Sequence, residues 1–167
     1  SNKKITASAV YIKDENVIVG DKALDALAAT PKNVVTETKR QMENDAIYSL
    51  ENGEWIDKDD NNKQSYSPAQ ISSFILSKLK SYTSDVKKAV ITVPALFAEK
   101  ARVATLDAAK MAGIEVISLI NEPTAAACYY ASLPNVKKIT GKILVFDLGG
   151  GTFDVTVCDV QGQKVEV

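Results

Sequence analysis

The sequence predicts an α/β fold, and three observations carry that reading. From residue 88 onward, strand-like and helix-like runs alternate: 88–94, 98–112, 114–120, 124–131, then a strand pair. The strand-like runs are rich in valine and isoleucine and the helix-like runs in alanine, as expected of a core layered from sheet and helix. Near the C-terminal end, the runs 143–146 and 153–160 flank Gly149-Gly150-Gly151, with Asp147 and Asp154 on either side. Glycines between two strands make a hairpin, whereas a P-loop or a dinucleotide-binding turn leads from strand into helix with its own spacing.

Composition narrows the function classes. The 167 residues suit one domain or a piece of a larger protein, with 46% apolar and 25% charged residues, ordinary for a globular chain. A net charge of −1 gives no electrostatic case for nucleic acid or an anionic membrane. No apolar run approaches the roughly 20 residues of a membrane span. No secretory leader is visible, and Ser1-Asn2 reads as an expression remnant. Cys128 and Cys158 have no metal-ligand spacing and read as reduced core thiols of a cytosolic protein. There is no histidine. Chemistry must then rest on carboxylates, lysine, hydroxyls and a hard cation, a set that suits phosphoryl transfer.

Residues 7–13 and 17–19 read as strands joined at Asp14-Glu15-Asn16 and closed by Gly20-Asp21. Residues 22–29 make a short helix with Leu24 and Leu27 facing inward, stopped by Thr30-Pro31. Residues 33–44 are polar and expected to be helical, with Lys39 and Arg40 on a solvated face. Residues 47–50 and 55–56 flank Asn52-Gly53, a strong hairpin signal. A charged loop at 57–62 and a third strand at 63–66 follow. Ser67-Pro68-Ala69-Gln70 opens a helix with a capping box, burying Ile71, Phe74, Ile75, Leu79 and Tyr82. The run 88–94 reads as a buried strand, 98–112 as a helix stopped by Gly113, and 114–120 as a strand. Pro123 suits the first position of the next helix, which makes Glu122 its cap. Glutamate is a poor cap, which hints at another task, although a helix N-terminus also favours a carboxylate. A linker at 133–141 leads to the glycine hairpin, whose first strand is expected to be buried.

The hairpin's chemistry is phosphate binding with a metal. Glycine lets backbone N–H groups converge on an anion with no Cβ in the way. Thr152 adds a hydroxyl donor, and Asp147 and Asp154 offer oxygen ligands to Mg²⁺ and its waters. A plain turn in which glycine supplies positive φ is the simpler alternative.

Three stretches taken together, Ile91-Thr92-Val93-Pro94-Ala95, Ile120-Asn121-Glu122-Pro123-Thr124-Ala125-Ala126-Ala127 and Asp147-Leu148-Gly149-Gly150-Gly151-Thr152-Phe153-Asp154-Val155, resemble the nucleotide-binding domain of the seventy-kilodalton heat-shock (DnaK-type) chaperones. The likeness extends upstream to 19–23 and to Lys39-Arg40. It implies the actin-like ATPase (ribonuclease H-like) fold in part: a first lobe over 1–135, with a small α+β subdomain at about 33–87, and the opening of a second lobe over 136–167. It implies ATP or ADP with Mg²⁺ in the cleft of the intact parent. Gly149, Gly150, Gly151 and Thr152 match the second phosphate-binding hairpin, and Asp147 the aspartate near the metal. Lys39 matches the lysine that positions the attacking water, and Glu122 the glutamate linked to the metal site through water. Pro94 and Arg102 match residues that pass the nucleotide state to the substrate-binding domain. Asp154 stands as a hairpin stabiliser or a second ligand. The implied partners are that domain, unfolded polypeptides, a nucleotide-exchange factor and a J-domain co-chaperone, in the cytoplasm.

Departures from the family pattern limit the likeness. The first phosphate loop and the adenosine-holding residues are not in these 167 residues, so ATP is expected to bind weakly without measurable hydrolysis. Ser118 replaces a basic residue that helps dock the J-domain in many members, which puts that docking in doubt. Residues 41–44 and Cys128-Tyr129-Tyr130 also depart. Unpaired edges in the last strands invite pairing with a second copy or strand exchange. The alternatives are another actin-like ATPase or sugar kinase, and a non-enzymatic partner-binding lobe. Sugar kinases carry such a hairpin at the chain's beginning, whereas here it follows about 146 residues.

Overall fold

A computed structural model describes residues 5–57, 64–83, 85–133, 140–148, 153–161 and, for the backbone alone, 164–166. Its two compact units are Ser1–Ala89 with Ala98–Ile117, and Val90–Phe97 with Ser118–Val167.

In the first unit, β1 (Val10–Lys13) and β2 (Asn16–Val19) form the expected antiparallel hairpin. Asp14 takes the left-handed conformation at its turn, with φ 53°, a role aspartate tolerates. On the other side of β1 lies β3 (Val34–Val35), with Val10 opposite Val35. The helix expected over 33–44 is therefore corrected to a strand and one 3-10 turn, Thr38–Gln41. Two adjacent β-branched residues gain more by burial against β1 than their polar neighbours gain from helix propensity. Helix α1 (Asp21–Asp25) runs into a 3-10 turn at Ala26–Ala28. Its inward residue is Ala23, whereas Leu24 and Leu27 are 44% and 40% exposed, contrary to expectation. The Gly20 N–H donates to the Ala9 carbonyl at 2.9 Å. The helix thus starts against the strand, with the Ala23 methyl buried at the contact.

β4 (Ala46–Ser49), β5 (Glu54–Asp57) and β6 (Ser65–Tyr66) form a second antiparallel sheet in the order β5-β4-β6. The expected loop at 57–62 lies, apart from Asp57, outside the described residues. Helix α2 (Pro68–Lys80) begins with the expected capping box. The Gln70 N–H donates to Ser67 Oγ at 3.2 Å, and the Ser67 N–H to Gln70 Oε1 at 2.8 Å. Ile71 is fully buried and joins Val10, Ile12, Val35 and Tyr48 in one core, flanked by Phe74 and Ile75. Trp55 meets Tyr48 edge-on at 5.4 Å. Leu79 and Tyr82, expected inside, are exposed; Tyr82 lies past the helix end, under the Lys78 ammonium.

Helix α3 (Glu99–Met111) buries Ala101, Ala108 and Ala109 and packs on α2. It ends at Gly113, φ 67°. The Ile114 N–H donates to the Ala109 carbonyl and the Gly113 N–H to that of Lys110, the paired bonds of a glycine-terminated helix. Lys80 Nζ donates to the carbonyls of Ala112 and Gly113 at 3.3 and 2.7 Å. The start of α3 is held as well. Glu43 Oε1 accepts from the Ala98 N–H at 3.0 Å, and Lys100 pairs with Asp45 at 2.8 Å.

β7 (Lys88–Val93) and β8 (Glu115–Asn121) form a two-stranded sheet and pass from the first unit to the second. Their first residues adjoin: the Glu115 N–H donates to the Lys87 carbonyl at 2.8 Å, as in a parallel pair joined by a helix. The expectation of a buried β7 is corrected. Only Val93 is buried, and Val90 and Ile117 are 51% and 64% exposed, because among the described residues this sheet has no third strand.

The rest of the second unit contains α4 (Glu122–Ser132) and the antiparallel strands β9 (Thr140–Leu148), β10 (Phe153–Gln161) and β11 (Lys164–Glu166), ordered β11-β10-β9. Residues 134–139 of the expected linker lie outside the described residues. Helix α4 packs on all three strands, and Cys158 and Val160 of β10 are buried. Leu144, Phe146, Leu148, Phe153, Val155 and Val157 share the opposite face and are exposed. The run 143–146, expected to be buried, is thus covered on one side only.

Candidate functional site

The strand register sets the geometry of the carboxylates. Leu148 pairs with Phe153, and Asp147 lies directly opposite Asp154. Cross-strand partners share a face with Cβ atoms about 4.5–5.5 Å apart, and like charges so placed repel. Two facing carboxylates are therefore suited to a divalent cation. Mg²⁺ takes oxygen ligands and keeps several waters, so these two carboxylates are of the donor type that suits it. Among the described residues, no group of three or more His, Cys, Asp or Glu side chains could hold a metal by itself. Gly149, Gly150, Gly151 and Thr152 lie outside the described residues.

Glu122 opens α4, the helix packed on this hairpin. The cap is Asn121, extended at φ −70° and ψ 139°, and Pro123 follows within the first turn. The expectation that Glu122 is the cap is corrected by one residue. Proline is tolerated across the first turn because the missing N–H there has no intrahelical partner. Glu122 sits where the helix dipole favours negative charge. It and Asp147 thus belong to one unit, on elements that touch.

The other candidates are dispersed. Lys39 lies in the 3-10 turn Thr38–Gln41 of the first unit and is exposed. Arg102 is half-buried in the first turn of α3, its N–H bonded to the Ala98 carbonyl. Pro94 ends β7, where the Phe97 N–H closes a turn onto its carbonyl at 3.2 Å. Ser118 is an exposed residue of β8, its hydroxyl donating to the Leu119 carbonyl at 3.4 Å. Asp154 lies in register with Asp147. Its signal was the equal distance of the two aspartates from the glycine-rich loop, which places them in register in any hairpin centred there.

The whole chain, residues 1–167, matches the family model described as Hsp70 protein. It is 42% identical over 172 residues to the chaperone protein DnaK of Mycoplasmopsis agalactiae, covering 100% of this chain and 26% of that protein. It is 38% identical to the chaperone protein DnaK of Nitrosopumilus maritimus, covering 100% and 25%. The mitochondrial-type heat shock protein 70 of Encephalitozoon cuniculi is 38% identical, with 95% of this chain and 29% of that protein covered. The chain therefore belongs to the Hsp70 protein family. That family implies the actin-like ATPase fold, and the observed architecture is mixed α/β. The chain spans about a quarter of the length of these relatives.

Proposed function

We propose that these residues are part of an Mg²⁺-dependent ATPase domain that couples ATP turnover to the binding and release of unfolded polypeptides. The observation that carries this reading is Asp147 facing Asp154, with an acid-headed helix packed on the same pair of strands. Residues 1–135 belong to the first lobe, including a small subdomain at about 33–87, and residues 136–167 open the second. Asp147 holds Mg²⁺, and Glu122 holds it through water; when bound, the ion neutralises phosphate charge. Gly149, Gly150, Gly151 and Thr152 donate to phosphate oxygens. Lys39 donates to the attacking water and sets its charge against the γ-phosphate. Such donors, fixed in advance, make up most of what phosphoryl transfer needs. Water is oriented rather than strongly deprotonated, so a chain without histidine suffices.

Pro94 and Arg102 relay the nucleotide state to a substrate-binding domain of the same parent. The parent works in the cytoplasm with a nucleotide-exchange factor and a J-domain co-chaperone. Ser118 weakens the docking of that co-chaperone. Stimulation by a J-domain protein that is equally full before and after Ser118→Arg would contradict this.

The 167 residues alone bind Mg-ATP more weakly than micromolar and do not turn it over. Calorimetric titration tests the first statement, and micromolar affinity or better overturns it. β9 is the outer strand in the order β11-β10-β9, and its open edge supports a dimer or strand exchange; a monomeric mass by light scattering at high concentration counts against it. The exposed apolar face of the hairpin favours a second reading, a partner-binding lobe without chemistry. ATPase activity restored in a chain of the relatives' length supports the enzyme, and continued silence supports the lobe.

A further inference from the structure

We propose that Cys128 and Cys158 form a redox pair, in which Cys128 is oxidised first and Cys158 resolves it into an intramolecular disulfide between α4 and β10. They are the only two cysteines of the chain, both free. Both fall in one compact unit, on two elements that pack together. Cys158 is fully buried, and its neighbour two residues on, Val160, points to the same buried face. Cys128 is exposed. It follows the buried Ala127 by one residue, about 100° around the helix. Burial, and then the neighbouring Cys128, push the Cys158 thiol up. Exposure sets the order of events: the accessible Cys128 sulfur meets the oxidant, and the shielded Cys158 waits.

The chemistry balances with a peroxide as oxidant. The Cys128 sulfur attacks the O–O bond of hydrogen peroxide; an S–O bond forms, the O–O bond breaks, and one water leaves. Cys158 then attacks the Cys128 sulfenic acid; an S–S bond forms, the S–O bond breaks, and the oxygen departs as a second water with the Cys158 proton. Two thiols and one peroxide yield one disulfide and two waters, and an external thiol reverses the bond. The partners are held in one unit, so the second step is intramolecular and outruns further oxidation of Cys128. The pairing does not depend on nucleotide binding.

The test treats the 167-residue chain with hydrogen peroxide at neutral pH, then digests it with trypsin without reduction. The expected product is a monomer lighter by two hydrogens, with peptide 111–137 joined to peptide 143–164. The joined peptide is absent from Cys128→Ser and Cys158→Ala and is released by dithiothreitol. A Cys128 sulfinic acid beside a free Cys158, a dimer linked through Cys128, or two unmodified thiols would each overturn the proposal. Should Cys158→Ala fail to fold, Cys128→Ser decides: Cys158 must then stay a thiol, and its oxidation at the unaltered rate sinks the assignment.

Discussion

Thr38 is 4% exposed and heads the turn that carries Lys39, yet its hydroxyl has no hydrogen-bond partner among the described residues. A desolvated, unpaired hydroxyl costs about 1–3 kcal/mol. Thr38→Val keeps the branched shape and removes the polar atom, so it should raise stability by up to about 1 kcal/mol. Urea unfolding measures this, and a lower midpoint would mean the hydroxyl has a partner that stabilises the fold. Single residues were the least legible scale in the sequence. Lys39 reads as one more solvated charge by composition, and only its resemblance to a family position singles it out. Glu122 drew notice as a poor cap, but the cap is Asn121. Glu122 keeps its candidacy through the helix it heads and the hairpin that helix covers.

Among the elements, α2 shows how completely local chemistry can specify a helix. Ser67, Pro68 and Gln70 set its start, and both bonds of the capping box are made. Ser67→Ala should therefore cost about 1 kcal/mol, read as a lowered urea midpoint with an unchanged slope; no change would mean water caps the helix as well. α3 was equally legible at its glycine end. What local signals could not supply was the side-chain hold on its start by Glu43 and Asp45, more than fifty residues upstream. Nor could they supply the strand at Val34–Val35, which exists because β1 lies beside it. The burial of β7 and β9 is not legible in the sequence for a related reason. Apolar, β-branched residues identify a strand, but whether both faces are covered depends on neighbours that the run itself does not encode.

For the molecule as a whole, each unit carries, among the described residues, one group that resists ionisation. Burial raises Tyr48 in the first unit, with Glu54 adding to it, and burial raises Cys158 in the second, with Cys128 adding to it. Their ordinary values are 10.0 and 9.0. Below pH 9 both groups are neutral folded and unfolded, so the full stability is present. Above it the unfolded chain ionises first, and stability falls as pH rises through the raised folded values. Thermal melts between pH 7 and 11 should show Tm dropping from about pH 9, with Cys158→Ala delaying the onset; a flat profile would contradict the shifts. The mixed α/β class and most of the order of elements were legible in the chain, as was the strand pair that flanks the glycines, because these rest on periodicity and on glycine. The central proposal is that these residues belong to an Mg²⁺-dependent ATPase domain in which Lys39 orients the attacking water. The most direct measurement is single-turnover hydrolysis of Mg-ATP by a chain of the relatives' length, with and without Lys39→Ala. Loss of one positioned charged donor should slow hydrolysis by roughly 10²–10³-fold while ATP binding is retained, whereas an unchanged rate would contradict the account.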